Sequence, residues 1–312
     1  MQQDREIIAV TGGAGFVGSH LVDALLTAGA GNVTVIDDFS RGRHQNLGGW
    51  ASEPRLRVVR ADVRNIDALR DALYGANVVY HLAAQATVMG AAQDIDRTFN
   101  TNVVGTYNVL KVAAERGVRR MVFASSREVY GEPVSLPVAE SHPLLPVNSY
   151  GASKVAGEAL CRAFAREHGL ETSILRLANV YGDRDIGRVI PHWIAEARSD
   201  NDIMVYGGAQ VIDFVWVGDV VRAMLAAAAT ERALPPINIA SGSGTKILDL
   251  ARRIIHLAKS RSQVRVVSPR SIEVSRYIGS TDRMRELLDL TPADDPLAHL
   301  DAMLRPAAFA VA

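Results

Sequence analysis

The strongest constraint on the fold is the regular alternation of short, β-branched apolar runs with longer segments of helical periodicity. These runs are apolar at successive positions, as strands of a parallel sheet must be when helices cover both of its faces. The pattern predicts an α/β fold with a doubly wound parallel sheet of the Rossmann type. The predicted strands are residues 7–10, 33–36, 56–59, 78–82, 121–124 and 173–177.

Beyond about residue 180 this alternation loosens into mixed short strands and helices. We predict that residues 1–180 form the larger domain and that residues 181–312 form a smaller mixed α/β lobe, from which some strands return to the large sheet. Such a lobe would cover the carboxyl edge of the sheet, where open α/β sheets bind ligands. The strands predicted in it are residues 204–206, 213–217, 237–239 and 264–267.

The composition excludes several classes of function. Among 312 residues, 34 basic side chains balance 34 acidic ones, and the zero net charge removes the attraction that dominates nucleic-acid binding. The longest apolar stretch, residues 223–229, is far shorter than the ~20 residues that span a bilayer. The polar start leads directly into a strand, without the regions of a signal peptide. We therefore expect a cytoplasmic protein that binds neither nucleic acid nor membranes.

Neither a disulfide nor a metal site is expected. Cys161 is the only cysteine, and it lies within a predicted helix, where we interpret it as a small buried apolar side chain. The histidines are scattered without the close paired spacing of metal ligands.

A glycine-rich turn follows the first predicted strand. Residues 11–18 have the sequence Thr-Gly-Gly-Ala-Gly-Phe-Val-Gly and open a helix predicted over residues 16–28. Glycines let the backbone turn sharply and approach a pyrophosphate, which then binds the N–H groups and the positive dipole end of the helix. The expected cofactor contacts are Gly12, Gly15, Phe16, Val17 and Gly18.

An acidic pair ends the second strand. Asp37 lies about 20 residues beyond the glycines, where a carboxylate accepts a hydrogen bond from the ribose 2′-hydroxyl and repels a 2′-phosphate. This spacing favours NAD over NADP as the cofactor, and we include the neighbouring Asp38 among the expected contacts. Arg41 argues in the other direction, because an arginine nearby can accommodate a 2′-phosphate.

Two further strand ends are candidates for cofactor contacts. Asp62 and Val63 follow the third strand, and Asp62 either bonds the adenine amino group or caps the next helix. Small residues at the end of the fourth strand allow a cofactor to approach closely, although they are also compatible with a plain buried strand end. The residues in question are Leu82, Ala83, Ala84 and Gln85.

A tyrosine and a lysine carry the chemical hypothesis. Tyr150 and Lys154 are four residues apart and lie on one face of a helix. The ammonium group, together with a cationic nicotinamide, favours the phenolate and lowers the tyrosine pKa from about 10 toward neutrality. Tyr150 could then take a hydroxyl proton as hydride leaves the same carbon, while Ser126 at the end of the fifth strand bonds that oxygen. The alternative is an ordinary amphipathic helix capped by Ser149.

Together these motifs resemble the extended short-chain dehydrogenase/reductases, specifically the NAD-dependent nucleotide-sugar epimerases and dehydratases. The resemblance runs almost end to end and implies a tightly held NAD that removes hydride from sugar C4 and leaves a 4-keto intermediate. The segments that carry it are residues 11–18, 37, 62–63, 81–85, 102–106, 124–131, 150–154 and 176–182.

The resemblance also implies roles for individual residues. Ser126, Tyr150 and Lys154 match the catalytic positions of the family. Asn102 matches the cofactor site, and Asn179 matches an asparagine that contacts the substrate. The family usually forms homodimers through two long helices, here near residues 99–116 and 149–168.

Two adjacent residues bear on the fate of the 4-keto sugar. Glu128 stands where the dehydratases and uronate decarboxylases of the family have a glutamate, and a carboxylate there could abstract the acidified C5 proton. Arg127 stands where the 4,6-dehydratases have an aspartic acid that protonates the departing hydroxyl, which an arginine cannot readily do. It could instead bind the carboxylate of a uronic acid. Alternatively, Arg127 points outward and Glu128 only forms a salt bridge with it.

The diphosphate-binding position also departs from the family. The usual arginine falls at Ile212, whose aliphatic side chain cannot bind phosphate. Arg188 and Arg270 match positions near the substrate cleft and could compensate. The expected substrate contacts are therefore Ser126, Arg127, Asn179, Arg188 and Arg270.

The favoured interpretation is an NAD-dependent nucleotide-sugar 4-epimerase. A dehydratase or UDP-uronate decarboxylase that uses Glu128 as a base is the alternative chemistry. A non-catalytic NAD-binding sensor is the alternative class. A sensor would have no need for Ser126, Tyr150 and Lys154 together, which favours an enzyme.

Overall fold

The computed structural model describes residues 6–230, 232–269 and 274–305, in which strands and helices alternate. The strands are Ile7–Thr11 (β1), Asn32–Asp37 (β2), Leu56–Arg60 (β3), Val78–His81 (β4), Arg120–Ser126 (β5), Glu171–Leu177 (β6), Asn179–Tyr181 (β7), Ile203–Tyr206 (β8), Val211–Trp216 (β9), Ile237–Ile239 (β10), Gly244–Lys246 (β11), Val264–Val267 (β12) and Arg276–Tyr277 (β13).

The α-helices are Phe16–Thr27 (α1), Ile66–Ala72 (α2), Val88–Gln93 (α3), Ile95–Phe99 (α4), Gly105–Glu115 (α5), Ser149–His168 (α6), Val189–Arg198 (α7), Val217–Ala229 (α8), Ile247–Ala258 (α9), Asp282–Leu288 (α10) and Leu300–Leu304 (α11). His44–Trp50 and Arg127–Val129 are 3₁₀-helices, and Asn100–Val104 is a π-helical segment between α4 and α5.

A seven-stranded sheet in the order β10-β6-β5-β4-β1-β2-β3 forms the centre of the molecule. All of its strand pairs are parallel. The prediction of a doubly wound Rossmann-type fold is confirmed, and each predicted strand of the large sheet coincides with an observed one to within a few residues. The strand order reverses between β1 and β4, which creates the crevice where such sheets bind nucleotides.

Helices cover both faces of this sheet. Helices α1 and α8 pack against each other over one face, and α2, α5 and α6 cover the other. The inner strands β4 and β5 are buried along their whole length, in keeping with their apolar runs over residues 78–80 and 121–124. The edge strand β3 is largely exposed, and its arginines point into solvent.

The chain beyond residue 180 contributes to both parts of the molecule. Strand β10 pairs with β6 and so returns to the large sheet, and α8 covers that sheet. In the smaller lobe, β9 pairs with β7, β11 and β13, while β8 pairs with β12. A separate apolar core joins α7, α9 and the strands of this lobe. The division of the chain at residue 180 stays a prediction.

Two helix predictions need correction. The helix predicted over residues 99–116 is α4, the π-helical segment and α5 in succession, so it begins earlier and contains a wide turn. Helix α6 is capped by Asn148, whose side chain accepts a hydrogen bond from the backbone N–H of Gly151, and not by Ser149. Both residue types are good caps, but the helix begins one residue earlier than a Ser149 cap would allow.

Within the described ranges, none of the helices has the length and hydropathy to cross a membrane. Cys161 is buried, as predicted.

A buried ion pair ties α6 to the sheet. Glu158 of α6 accepts hydrogen bonds from Arg176 of β6 at 2.9 and 2.7 Å and from Ser125 of β5 at 2.7 Å. The carboxylate is fully buried, and so is most of the guanidinium. Because a buried charge is stable only with its partner, this contact fixes the helix that carries Tyr150 and Lys154.

We expect Glu158→Gln to lower the free energy of unfolding by about 3–5 kcal/mol, because it leaves the Arg176 charge buried and uncompensated. Denaturant titration of both proteins measures the change. The matched control is Asp67→Asn, which breaks a surface ion pair with Arg70 and should cost less than about 1 kcal/mol. Equal effects of the two substitutions would show that the buried pair does not hold α6 in place.

Candidate active site

A cavity of about 710 Å³ lies at the carboxyl edge of the large sheet, between the sheet and the smaller lobe. Most residues predicted to bind cofactor or substrate line it. From the glycine turn and the first three strand ends come Gly12, Gly15, Phe16, Val17, Gly18, Asp37, Asp38, Asp62 and Val63. From the later elements come Leu82, Ala83, Ala84, Gln85, Ser126, Arg127, Glu128, Tyr150, Lys154, Asn179 and Arg188.

The glycine turn has the shape that a pyrophosphate needs. Gly12 has a φ of 70°, in the left-handed region, and its backbone N–H bonds the Ile36 carbonyl at 2.8 Å. A Cβ atom on Gly18 would lie 2.2 Å from the Gly12 carbonyl oxygen, so only glycine allows helix α1 to begin this close to the turn. The free N–H groups of the first turn of α1 border the cavity, where they could hold a dinucleotide.

Asp37 is buried beside this turn. Its carboxylate accepts hydrogen bonds from the backbone N–H groups of Ala14 and Phe39, each at 2.9 Å. Burial raises the pKa of Asp37, and these two hydrogen bonds oppose the rise. Arg41 donates to the carbonyl of Ile186 at 3.3 Å, so its guanidinium is directed to the loop after β7.

Asp62 forms an ion pair with Arg64 and does not cap helix α2. Both of its oxygens pair with Arg64, which lowers the pKa of Asp62. The cap of α2 is Asn65, whose side chain accepts from the N–H of Ala68 at 3.1 Å. The alternative that Asp62 caps this helix is therefore wrong, and its contact with adenine stays a prediction.

Asn102 lies behind the cavity and is not among its lining residues. Its side chain accepts from the Gln85 N–H at 2.7 Å and donates to Ser153 at 2.9 Å and to the Gln85 carbonyl at 3.2 Å. The amide is bonded to protein groups on both its oxygen and its nitrogen, and it supports the strand end that borders the cavity. A direct contact of Asn102 with the cofactor stays a prediction. Asn102 lies in the π-helical segment, a feature that is frequent at functional sites.

His81, the first residue of the 81–85 segment, is a buried member of the same support, a role that its sequence position did not predict. The Thr106 hydroxyl donates to the Asn102 carbonyl at 2.6 Å, so it accepts from His81 Nε2 at 2.9 Å. His81 Nδ1 then accepts from the Thr11 hydroxyl at 2.6 Å. Burial lowers the pKa of His81 to about 3, which keeps the ring neutral.

Tyr150 lies in the first turn of α6, and Lys154 lies one turn later on the same face. The ammonium of Lys154 is 5.9 Å from the centre of the Tyr150 ring and donates to the Ala124 carbonyl at 2.8 Å. Ser126 lies close enough to Tyr150 to oppose the rise in the Tyr150 pKa. The structure therefore brings the three predicted catalytic side chains together where β5 ends and α6 begins.

The protein alone raises the pKa of Tyr150, whereas the sequence analysis expected it to be lowered. Burial raises the pKa of Tyr150, and the positive charge of Arg188 and the Ser126 side chain only oppose the rise. Burial also lowers the pKa of Lys154 to about 8. Lowering of the Tyr150 pKa by a bound nicotinamide cation together with Lys154 stays a prediction.

Arg127 points inward, so the alternative in which it faces solvent is wrong. Its guanidinium donates to the Asn179 side-chain oxygen at 2.7 Å and forms a 2.8 Å ion pair with Glu128. The second carboxylate oxygen of Glu128 accepts from the Asn148 amide at 2.8 Å. Both oxygens of the candidate base are thus already bonded to protein groups.

The loop after β7 is closer to the site than its charged sequence suggests. Asp185 is buried and lines the cavity, 3.8 Å from Arg188, whose guanidinium lies 5.5 Å from the centre of the Phe16 ring. Acidic loop residues are usually exposed, and only the folding of this loop over α1 buries the carboxylate.

The lobe side of the cavity is mainly apolar. Ile212 lines it beside Phe214 and Ile190, so the usual arginine position indeed presents no charge. Arg270 lies outside the described residues. No group of three or more acidic, histidine or cysteine side chains is placed to hold a metal ion in residues 6–230, 232–269 or 274–305.

Comparison with known proteins places this site in a family. Residues 8–240 match the NAD dependent epimerase/dehydratase family. A putative UDP-glucose 4-epimerase of Methanocaldococcus jannaschii is 36% identical over 277 residues, 86% of this chain and 88% of that protein. UDP-glucuronic acid decarboxylase 1 of Danio rerio is 33% identical over 272 residues, 84% of this chain and 63% of that protein.

A solved structure gives the same assignment. DesIV, a dTDP-glucose 4,6-dehydratase from Streptomyces venezuelae crystallised with NAD and TYD, superposes with a TM-score of 0.92 at 31% identity and 96% coverage of both chains. The chain therefore belongs to the NAD-dependent epimerase/dehydratase family of extended short-chain dehydrogenase/reductases. It is an enzyme whose cofactor is NAD, in agreement with the glycine turn and Asp37.

We expect Gly18→Ala to weaken NAD binding about 10- to 100-fold, because the added methyl group displaces the turn that approaches the pyrophosphate. Calorimetric titration with NAD measures the loss. Gly48→Ala is the control, since a Cβ atom there has no neighbour within 4 Å. Wild-type affinity in Gly18→Ala would mean that the turn does not bind the dinucleotide.

Proposed function

We propose that this enzyme is an NAD-dependent nucleotide-sugar 4-epimerase that acts through a transient 4-keto sugar. The observation that carries the proposal is the engagement of Glu128 by Arg127 and Asn148. Elimination from a 4-keto sugar requires a free base and an acid for the leaving group, and the Arg127–Glu128 pair offers neither. Epimerisation requires only the oxidation at C4 and its reversal.

The side chains that would perform this oxidation are Tyr150, Ser126 and Lys154. Tyr150 takes the proton of the C4 hydroxyl, and Ser126 shares the hydrogen bond to that oxygen. Lys154 stabilises the phenolate and holds the nicotinamide ribose. Bound NAD would supply the hydride chemistry, since it can accept the hydride of C4 and give it back. The keto sugar rotates within the cavity before hydride is returned. Hydride then reaches the opposite face of C4, so the configuration at C4 inverts.

The substrate side of the proposal rests on Asn179 and Arg188. Because Arg127 donates to its side-chain oxygen, Asn179 has its amide N–H₂ group left to donate to an acceptor on the substrate. Arg188 brings a positive charge close to Tyr150 in a cavity whose usual phosphate-binding position is Ile212. We propose that Arg188 contributes to holding the diphosphate.

A second candidate is decarboxylation of a nucleotide-bound uronic acid. Two cavity-lining guanidinium groups, those of Arg127 and Arg188, favour it, because arginine binds carboxylates in a bidentate manner. Similarity to UDP-glucuronic acid decarboxylase 1 of Danio rerio supports it equally. A uronic acid oxidised to the 4-ketone loses carbon dioxide more readily than one that carries the 4-hydroxyl group. Decarboxylation would therefore share the oxidation at C4 with epimerisation and differ from it in the product.

The deciding experiment is incubation of the purified enzyme with UDP-, dTDP-, GDP- and CDP-sugars, including uronic acids, followed by mass spectrometry and proton NMR. An unchanged mass with a new sugar spin system is expected and would establish an epimerase. Loss of carbon dioxide would establish the decarboxylase, and loss of water a dehydratase. Silence across the panel would contradict the nucleotide-sugar proposal.

We expect Tyr150→Phe to bind NAD normally and to lose about 10²- to 10⁴-fold in turnover, because the variant lacks the group that accepts the hydroxyl proton. Turnover is measured by the same NMR assay, and NAD binding by calorimetry. Tyr74→Phe is the control, since Tyr74 is highly exposed and does not line the cavity. Full activity of Tyr150→Phe would remove the tyrosine from the mechanism.

We also propose that the enzyme is a homodimer. Ile95, Phe99 and Tyr107 are exposed to 60%, 55% and 42%, and their spacing places them on one face of α4, the π-helical segment and α5. Helix α5 packs beside α6. A second copy would cover this apolar face.

Phe99→Glu should therefore convert a dimer into a monomer, because it places a charge in the centre of the apolar face. Light scattering after size-exclusion chromatography measures the mass. Val134→Glu, on an exposed position outside these helices, should leave the mass unchanged. A monomeric wild-type protein would contradict the proposal.

A further inference from the structure

Arg127 joins two side chains that line the cavity, those of Asn179 and Glu128. Its Nε donates to the Asn179 side-chain oxygen at 2.7 Å, and its Nη2 is 2.8 Å from Glu128 Oε1. The side chain is about one-tenth exposed, and its guanidinium lies 5.6 Å from the centre of the Tyr277 ring. A planar guanidinium in contact on several sides has little freedom to change partners.

Glu128 is held from a second direction. Its Oε2 accepts from the Asn148 amide at 2.8 Å, and Asn148 also caps the helix that carries Tyr150. The turn itself is packed tightly, since a Cβ atom on Gly151 would lie 2.4 Å from the Glu128 carbonyl oxygen. The carboxylate would have to break an ion pair in order to reach a substrate carbon.

A 4-keto sugar in this cavity has acidic protons on C3 and C5, the carbons that flank the ketone. A free carboxylate close to them would act as a general base. Glu128 lines the cavity next to Ser126, at the reacting end of the site. An epimerase must therefore keep this carboxylate from removing a proton while the ketone is present.

We propose that Arg127 is a positioning residue that restrains Glu128 by ion pairing and thereby prevents proton abstraction beside the ketone, while it fixes the amide of Asn179 toward the substrate. This rests on the proposed function in so far as a 4-keto sugar must form in the cavity. Arg127 thus decides between simple epimerisation and exchange or elimination at C5.

The suppressed step is a proton transfer. The C–H bond beside the ketone breaks, its proton goes to a Glu128 oxygen, and the electron pair forms an enolate whose charge lies on the C4 oxygen. Return of a proton from the carboxylic acid to the same carbon restores the ketone. In D₂O the acid exchanges with solvent, so each cycle leaves one deuterium on carbon.

The test uses Arg127→Met with UDP-4-keto-6-deoxyglucose as the probe, in D₂O and with NAD present. Because the probe already carries the ketone, no hydride transfer is needed. Proton NMR follows the loss of the C3 and C5 signals, and a sample without enzyme gives the spontaneous rate. We expect wild type to match the spontaneous rate and Arg127→Met to exceed it by about 10²-fold or more.

Two matched variants separate the roles of charge and packing. Arg127→Met/Glu128→Gln should return exchange to the spontaneous rate, since it removes the base. Arg127→Lys keeps the positive charge beside Glu128, so exchange should stay suppressed. Because lysine has a single nitrogen, the hydrogen bond to Asn179 is lost, and KM for the epimerised sugar should rise. If Arg127 had only a structural role, Arg127→Met would not raise the deuterium content of the sugar, and adding Glu128→Gln would make no difference to it.

The proposal is overturned by rapid exchange in wild type, by absence of exchange in a folded Arg127→Met that binds NAD, or by exchange that persists without Glu128. If Arg127→Met does not bind NAD, Arg127→Gln replaces it with the same expected outcome. Failure of the 4-epimerase proposal is detected separately, by the product of the nucleotide-sugar panel with wild-type enzyme.

Discussion

Parallel pairing of the strands is the constraint on which the rest of this enzyme depends. Because β1, β2, β4, β5 and β6 all run in one direction, their carboxyl ends meet at one edge of the sheet. The glycine turn, Asp37, Gln85 and Ser126 lie far apart along the chain, yet each lies at or just beyond the carboxyl end of one of these strands. Covering both sheet faces with helices leaves that edge as the place where a ligand can approach.

Buried polar contacts then fix the elements that carry the predicted catalytic side chains. The Glu158–Arg176 pair holds α6 against β5 and β6, and Asn148 fixes where the helix begins. Asn102 and His81 support the end of β4 from behind. Satisfied networks of this kind hold a site rigidly, because any displacement would leave a buried polar group without its partner.

In the proposed function, the Arg127–Glu128 ion pair separates this site from one built for elimination. Elimination would need a free base and a proton donor, whereas the Glu128 carboxylate is paired with an arginine. The same guanidinium occupies the side-chain oxygen of Asn179, so in the proposed function the amide N–H₂ group of Asn179 faces the substrate. The fold and the Ser126, Tyr150 and Lys154 group are compatible with epimerisation and decarboxylation alike. The choice between them therefore lies in a few side chains around the ketone, as is general for functions that share a fold.

The sequence by itself determined the fold class, the strands of the large sheet, the dinucleotide cofactor and the helix that carries Tyr150 and Lys154. These follow from local features: continuous apolar runs, glycines at fixed spacing and residues one helical turn apart. Only the tertiary structure decided that Arg127 points inward, that Asp185 is buried and that Asn102 supports the site from behind. Each depends on partners far away in the chain, such as Asn179 for Arg127 and Ser153 for Asn102. Whether a polar side chain faces solvent or a partner is set by packing between elements, which local sequence does not encode.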